Sequence, residues 1–387
     1  MVYLDYSATS PLLKEARAAM ISAMDLIGNP SALHTPGHQA MNKIEEAREE
    51  VAKLINASPD EIIFTSGGSE SNNTITNIFA GESVAVSAIE HPSMLESAKT
   101  RSKTTLIPVD ETGKIDQKNY AKILEQKVPK LVSIMLVNNE IGTIEDVEAL
   151  AKLAHDSGAV FHTDATQALG KIPIDVKKIN VDYMTISAHK IGGPVGIGAL
   201  FVKKGSPFTP LIIGGHQEHG KRAGTYQVVN ISGFGAAAKY VSTRNTPLLY
   251  KEKVLPLRNL LAEQILTNIP YSSINTPLDC SAPNILNCSF EAAEGESIQL
   301  YLDAKGDIIV STGSACASGD GKPSHVIMAT RHDAEIAHSS VRFSLGLETT
   351  TADVAKVMTT LPEIIKNLQG ISTLKAGNIK KEDSYYA

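Results

Sequence analysis

The chain has little that would hold it in a membrane or on a nucleic acid. No stretch of its 387 residues approaches the roughly 18 consecutive apolar residues that a membrane span needs. The N-terminal MVYLDYSATS has neither the basic n-region nor the apolar h-region of a secretory signal, so a soluble, unexported, cytoplasmic protein is expected. Positive charge is not in excess either. Lys and Arg number 36 against 42 Asp and Glu, a formal net charge of −6 with the cations scattered, which offers no footprint for nucleic acid or anionic lipid. Cysteine is scarce: Cys280, Cys288 and Cys316 are an odd number in a long chain. That argues against a disulfide framework and for a reducing compartment, where a free thiol can work as a thiol. Fixed-period repeats and low-complexity linkers are missing too. Small molecules and proteins remain as the partners to expect.

What the chain does have is alternation. Between residues 40 and 204, the apolar runs EIIFT, SVAVSAI, TTLIPV, KLVSIMLV, AVFHTDA, VDYMTIS and IGALFV alternate with segments of helical period. This predicts an α/β fold whose mostly parallel sheet is covered by helices. At this length one large domain plus a smaller one is expected. After about residue 250 comes the helical stretch KEKVLPLRNLLAEQILTNI, then short strands such as NILNCSF and DIIVST, which read as a smaller α+β domain. The first fifteen or so residues have no place in the alternating series and are expected to pack on that second unit. The division is therefore a large domain over 16–250, a small one over 1–15 and 251–375, and a flexible polar tail over 376–387.

Four places on this framework carry chemistry. In EIIFTSGGSESNNT, residues 61–74, a strand runs through Gly67, Gly68 and Ser69 into a helix. Free N–H groups and the positive helix end suit an anion there, although the same string also makes an ordinary tight turn. VFHTDATQALGK, residues 160–171, puts Asp164 and Gln167 just past a buried strand. A carboxylate there either caps a helix or pairs with a protonated ring nitrogen. VDYMTISAHKIGGPVGIGAL, residues 181–200, ends a strand at Ser187, His189 and Lys190. Such a lysine can form a Schiff base if its pKa is lowered, though lone lysines are mostly solvated. STGSACASGDGKPSHV, residues 311–326, surrounds Cys316 with small residues that leave a thiol accessible and able to travel. Cys288, in apolar NILNCSF, reads as an inert core thiol, and Cys280 has no assigned role. His216 and His219 in GGHQEHG lack the cysteines or carboxylates of a zinc set, so no metal site is expected.

Taken together these strings resemble the NifS/IscS-like cysteine desulfurases, pyridoxal 5'-phosphate enzymes of the class-V aminotransferase family with the aspartate-aminotransferase fold (fold type I). The resemblance spans nearly the whole chain, through YLDYSATSP, GNPSALH, TSGGSESNN, EHPS, NNEIGT, DATQALGK, SAHK, GGHQEHGKRAGT, GSACASG and SSVRFSLG. It implies a seven-stranded sheet in the large domain, Lys190 as the lysine that carries the cofactor, Asp164 on the pyridine nitrogen, Gln167 facing the ring's phenolic oxygen and His91 stacked on the ring. It implies a phosphate site at Gly68, Ser69, Ser187 and His189, with Thr225 reaching across from the second subunit of a homodimer. Asn139 and Arg342 would take the substrate carboxylate, which a guanidinium fork matches.

The implied reaction is that of a sulfurtransferase. L-cysteine becomes L-alanine, Lys190 moves the proton at the α-carbon, and the Cys316 thiolate takes the sulfur as a persulfide. The GSAC loop resembles the longer-loop group I enzymes, which hand sulfur to an iron–sulfur scaffold protein, with transfer-RNA thiolation as the other destination. Tyr6, Ser7, Val195, His219 and Gln227 depart from the family pattern. Two rivals stay open. An aminotransferase or a selenocysteine or cysteine-sulfinate lyase of the same fold would keep Lys190 and Asp164 without needing Cys316. A non-catalytic sulfur-trafficking scaffold that retains the fold and binds a partner through its cysteine loop would need no Schiff-base lysine, and the presence of Lys190 speaks against it.

Overall fold

The computed structural model describes residues 1–312 and 323–377. Cys316 and the end of the tail, with the expectations attached to them, lie outside the described residues.

A two-residue strand, β1 (Val2–Tyr3), comes first. The seven apolar runs then supply β2 (Ile62–Thr65), β3 (Ser83–Ser87), β4 (Lys103–Ile107), β5 (Leu131–Ser133), β6 (Val160–Asp164), β7 (Tyr183–Ser187) and β8 (Gly198–Val202). All seven form one sheet in the order β2-β8-β7-β6-β5-β3-β4. From β4 to β7 the pairing is parallel, whereas β8 runs antiparallel to both β7 and β2. The reversal has a local cause. The link from Ser187 to Gly198 is shorter than the dozen residues that a parallel crossover requires, so the chain can only turn back.

The sheet reads as near-continuous apolar runs because both of its faces are covered. Ile62, Phe64, Phe161, Met184, Ile186 and Phe201 join one core with residues of α1 (Lys14–Met24), α2 (Thr35–Leu54) and the later helix Val228–Arg244. Their neighbours in sequence, Ile63, Tyr183, Leu200 and Val202, face the other way into a core shared with α3 (Gly68–Ile78) and α4 (Pro92–Arg101), as the two-residue period of a strand demands.

A separate apolar core is built from residues 250–368 together with Val2 and Leu4 of the N-terminus. Its antiparallel sheet is β9 (Ser272–Ile274), β10 (Ile285–Phe290) and β12 (Ser340–Ser344), with β10 central, and β1 pairs in parallel with β11 (Ile308–Ile309). Between the two cores the N-terminal segment makes a crossing. Asp5 bridges to Ser344 of β12, and the Ser10 N–H donates to the carbonyl of His189 beyond the end of β7. That crossing lays residues 5–10 over the carboxyl edge of the large sheet, where folds of this kind bind ligands.

Candidate active site

Lys190 stands in a short 3-10 turn, Ala188–Ile191, directly after β7, and the turn closes on Gly192 at φ +79°. Its Nζ donates to the main-chain carbonyls of Ser7 at 2.5 Å and Ala8 at 2.7 Å. Gln167 donates its amide to the same Ser7 carbonyl at 2.9 Å, which brings two of the sequence candidates onto one oxygen. The Lys190 carbonyl in turn accepts from Ser10 Oγ at 2.9 Å and from Lys171 Nζ.

Asp164 closes β6 and is only 6% exposed. Oδ1 accepts the Thr166 N–H and Oδ2 accepts the Asn72 amide, each at 2.9 Å. The capping alternative is thus present as an Asx-type turn, and it leaves the carboxylate fixed at the strand end. Asn72 was quoted in the sequence motif without a role. Its spacing of four from Gly68 on α3 was the signal that could have found it, because such residues share a helix face.

The Gly67–Gly68 turn lies beside this carboxylate. Gly67 has φ +148°, and a Cβ built on Gly68 would stand 3.4 Å from Thr166 Oγ1. The first α-helical bond of α3 is donated by Ser71 to the Gly67 carbonyl, so the N–H groups of Gly68, Ser69 and Glu70 point out of the helix end. Ser187 is buried at the end of β7. His189 meets Thr9 Oγ1 through Nδ1 at 3.3 Å, and burial, reinforced by Lys190 and Lys171, pushes its pKa down to about 4. A neutral imidazole there donates through one ring nitrogen and accepts at the other.

His91 caps α4, its Nδ1 accepting the Ser93 N–H at 3.1 Å. Burial depresses its pKa. The nearby Asp164 opposes that shift, and Lys190 and His325 add to it, which places His91 in the same electrostatic neighbourhood as the lysine and the aspartate. Glu90, one residue earlier, is fully buried and is pushed well above the usual carboxylate range, first by burial and then by Asp164. Neither Glu90 nor His325, which meets the Glu90 carbonyl at 2.9 Å, was singled out from sequence.

On the far side, Arg342 of β12 is buried. Nη1 donates to the Asn139 carbonyl at 2.8 Å and Nη2 pairs with Asp5 Oδ1 at 2.9 Å, while Nε has no partner among the described residues. Arg342 and Asn139 therefore meet, but through the asparagine's main chain and with an acidic partner that the sequence did not announce. Thr225 lies apart on the surface of this chain. Of the other cysteines, Cys288 is buried in β10 with its thiol pKa raised by burial, and Cys280 is partly buried and raised for the same reason.

Several buried polar atoms in this cluster lack partners among the described residues: Ser7 Oγ, Asn72 Oδ1, Thr166 Oγ1 and Gln167 Oε1. Orphaned groups of this kind, beside a lysine, a fixed carboxylate and an open helix N-terminus, match a flat, protonatable ring with polar substituents and an anionic group. The donor set thus fits pyridoxal phosphate.

The aminotransferase class-V family model matches residues 2–357. The chain is 44% identical over 385 residues to the cysteine desulfurase IscS of Dictyoglomus turgidum, covering 97% of each chain. It is 39% identical over 397 residues to the cysteine desulfurase NifS of Azotobacter vinelandii, covering 99% of this chain and 97% of that protein. The crystal structure of a NifS-like protein from Rickettsia africae superposes with a TM-score of 0.87 at 33% identity, over 95% of this chain and 99% of that one.

Proposed function

The chain belongs to the aminotransferase class-V family, in its NifS/IscS-like cysteine desulfurase branch, and from that premise we propose that it converts L-cysteine to L-alanine and retains the sulfur as a persulfide on Cys316. The observation that carries this reading is the convergence of Lys190 and Gln167 on the Ser7 carbonyl beside a carboxylate locked by Asn72 and Thr166. Bound pyridoxal phosphate supplies an electron sink for the substrate α-carbon.

The chain's own residues do the rest. Lys190 would carry the cofactor, and its amine would move the proton at the substrate α-carbon. Asp164, unable to turn away from its two donors, keeps a proton on the ring nitrogen. Gln167 Oε1, which has no partner among the described residues, faces a polar ring substituent, and His91 offers a flat, uncharged face. The open N–H groups of Gly68 and Ser69, with Ser187 and His189, hold the phosphate. Arg342, with Asn139, takes the substrate carboxylate through the Nε that has no acceptor among the described residues and through exchange of Asp5 for substrate. The Cys316 thiolate attacks the substrate sulfur, so the carbon–sulfur bond breaks as the sulfur–sulfur bond forms.

The same reading assigns residues 16–250 to a large cofactor-binding domain and residues 1–15 and 251–375 to a small one. It makes the enzyme a homodimer, with Thr225 completing the partner's phosphate site. Exposure of Thr225, Ile27, Leu33 and Ile213 supports this. It places the protein in the cytoplasm, consistent with the lack, among the described residues, of any helix long and apolar enough to cross a membrane. It also gives the sulfur to an acceptor protein such as an iron–sulfur scaffold, for cluster assembly or transfer-RNA thiolation. The test is to incubate cofactor-loaded protein with L-cysteine and a thiol reductant and to measure sulfide and alanine for wild type and Cys316→Ala. Equal amounts of both from wild type and neither from the variant are expected. Alanine persisting without Cys316, or no sulfide from wild type, moves the assignment to a lyase or an aminotransferase.

A further inference from the structure

Lys171 is 2% exposed, a degree of burial that lysine rarely shows without a partner carboxylate. Among the described residues it has no ion pair, and its one hydrogen-bond acceptor is the main-chain carbonyl of Lys190. That carbonyl is itself unusual. The 3-10 turn closes through the Ala188 carbonyl, which accepts from Gly192 and Gly193, and among the described residues the Lys190 oxygen accepts from the side chains of Ser10 and Lys171. A buried cation without a counter-charge is costly, and one placed on the main chain of the cofactor lysine has a specific use.

We propose that Lys171 is a positioning residue for Lys190. By gripping the Lys190 carbonyl from behind the turn, it fixes the point from which the Lys190 side chain reaches the cofactor. Ser10 and Lys171 thus fix the main-chain end of the lysine, while its Nζ, on the Ser7 and Ala8 carbonyls in this structure, is the end the cofactor would take. Gly170 at φ +73° supplies the sharp bend that points the Lys171 stem at the turn, and a cavity of about 450 Å³ adjoins both lysines. Burial, with the Lys190 charge adding to it, lowers the Lys171 pKa to about 7. The grip survives that change, because a neutral amine still donates to a carbonyl.

The inference rests on the assignment of Lys190 as the cofactor-bearing residue. The experiment compares wild type, Lys171→Met and Lys171→Arg, each loaded with pyridoxal phosphate. Methionine keeps the length of the apolar stem and removes the donor, whereas arginine keeps a donor. Three quantities are read: visible circular dichroism of the bound cofactor, which reports how its ring is held, the kcat and KM for L-cysteine, and the melting temperature.

Lys171→Met is expected to weaken the visible band and lower kcat by about ten-fold with KM nearly unchanged, the signature of a misplaced reacting group. Lys171→Arg is expected to restore most of both. An unchanged band and kcat in Lys171→Met overturn the proposal. So does a loss in which both variants fall equally, in step with melting temperature, because that marks a packing role. Borohydride reduction followed by peptide mapping separates the two levels of the argument. Wild type unlabelled at Lys190 removes the assignment and the proposal together, and labelled wild type that makes no sulfide removes only the desulfurase reaction. If Lys171→Met does not fold, Lys171→Arg decides: a normal visible band and kcat support the grip, and a lost band in a stable protein sinks it.

Discussion

Removing the Glu218 carboxylate should destabilise the large sheet far more than a charge in the polar motif GGHQEHG suggests. Glu218 and Arg48 of α2 are both about 2% exposed in their side chains and form a two-pronged pair, Nη1 to Oε2 at 2.7 Å and Nη2 to Oε1 at 2.8 Å. Glu218 Oε2 also accepts the Phe64 N–H at 2.9 Å, and the guanidinium sits 4.8 Å from the centre of the Phe64 ring. The pair therefore ties the loop before Thr225 to the strand that leads into Gly67.

In Glu218→Ala, three charge-assisted bonds vanish and Arg48 keeps only the half-exposed Glu45 and the Ile62 carbonyl. Breaking a buried pair from one side costs about 3–5 kcal/mol, and these two remaining acceptors bring the expected loss to about 3. In a unit of this size that is a fall of roughly 6–12 °C in melting temperature. Replacing both residues, as Arg48→Met with Glu218→Leu, removes the stranded charge and leaves the Phe64 N–H without its acceptor and the Ile62 carbonyl without its Arg48 donor, at about 1–3 kcal/mol for the unmet N–H. Calorimetry of the loaded enzyme gives the comparison. A Glu218→Ala drop under about 2 °C, or a double variant clearly less stable than the single one, refutes the reasoning.

Two further outcomes follow from single contacts. Burial pushes the Glu145 carboxyl up from its ordinary 4.5 to about 7, with Asp110 and Asp146 adding to the shift and Lys114 and the Ile115 N–H opposing it. A raised carboxyl contributes stability that is complete below about pH 4.5 and drains away as pH rises through 7. Glu145→Gln, which keeps the acceptor for Ile115, should thus match wild type at pH 5 and exceed it by up to about 3 kcal/mol at pH 8; equal urea midpoints at pH 8 would contradict this. Asn72→Ala strips a donor from Asp164 and from Ser93, and should weaken pyridoxal phosphate binding about ten-fold in an absorbance titration while Lys190 still reacts with the cofactor. Unchanged affinity would show that Asp164 needs no such anchor.

The large sheet was legible because strands buried on both faces have to be runs of apolar residues, and the turn-back of β8 was implicit in a short glycine-rich link. The sheet-edge positions of the candidate site residues Asp164, Ser187 and Lys190 were legible for the same reason: a strand that ends in polar residues marks the edge of the sheet. What the sequence concealed is which groups hold them. Lys190 is gripped by main-chain oxygens of Ser7 and Ala8 more than 180 positions away, and a carbonyl leaves no mark in the identity of its residue. Arg48 and Glu218, 170 positions apart, look like two surface charges until the fold closes around them.

The same distinction explains two of the departures from the family pattern. Ser7 serves Lys190 through its main chain, so that contact does not depend on which side chain stands there. Tyr6 does use its side chain. Its ring lies against Gly346, where a Cβ would fall 2.2 Å from the ring carbons, and edge-on to Tyr3 at 5.1 Å between centroids. A bulky residue is therefore tolerated at Tyr6 only because a glycine faces it from the loop after β12. That coupling joins the first residues of the chain to residues 339–346, the segment that carries Arg342, and no local reading of either string would have revealed it.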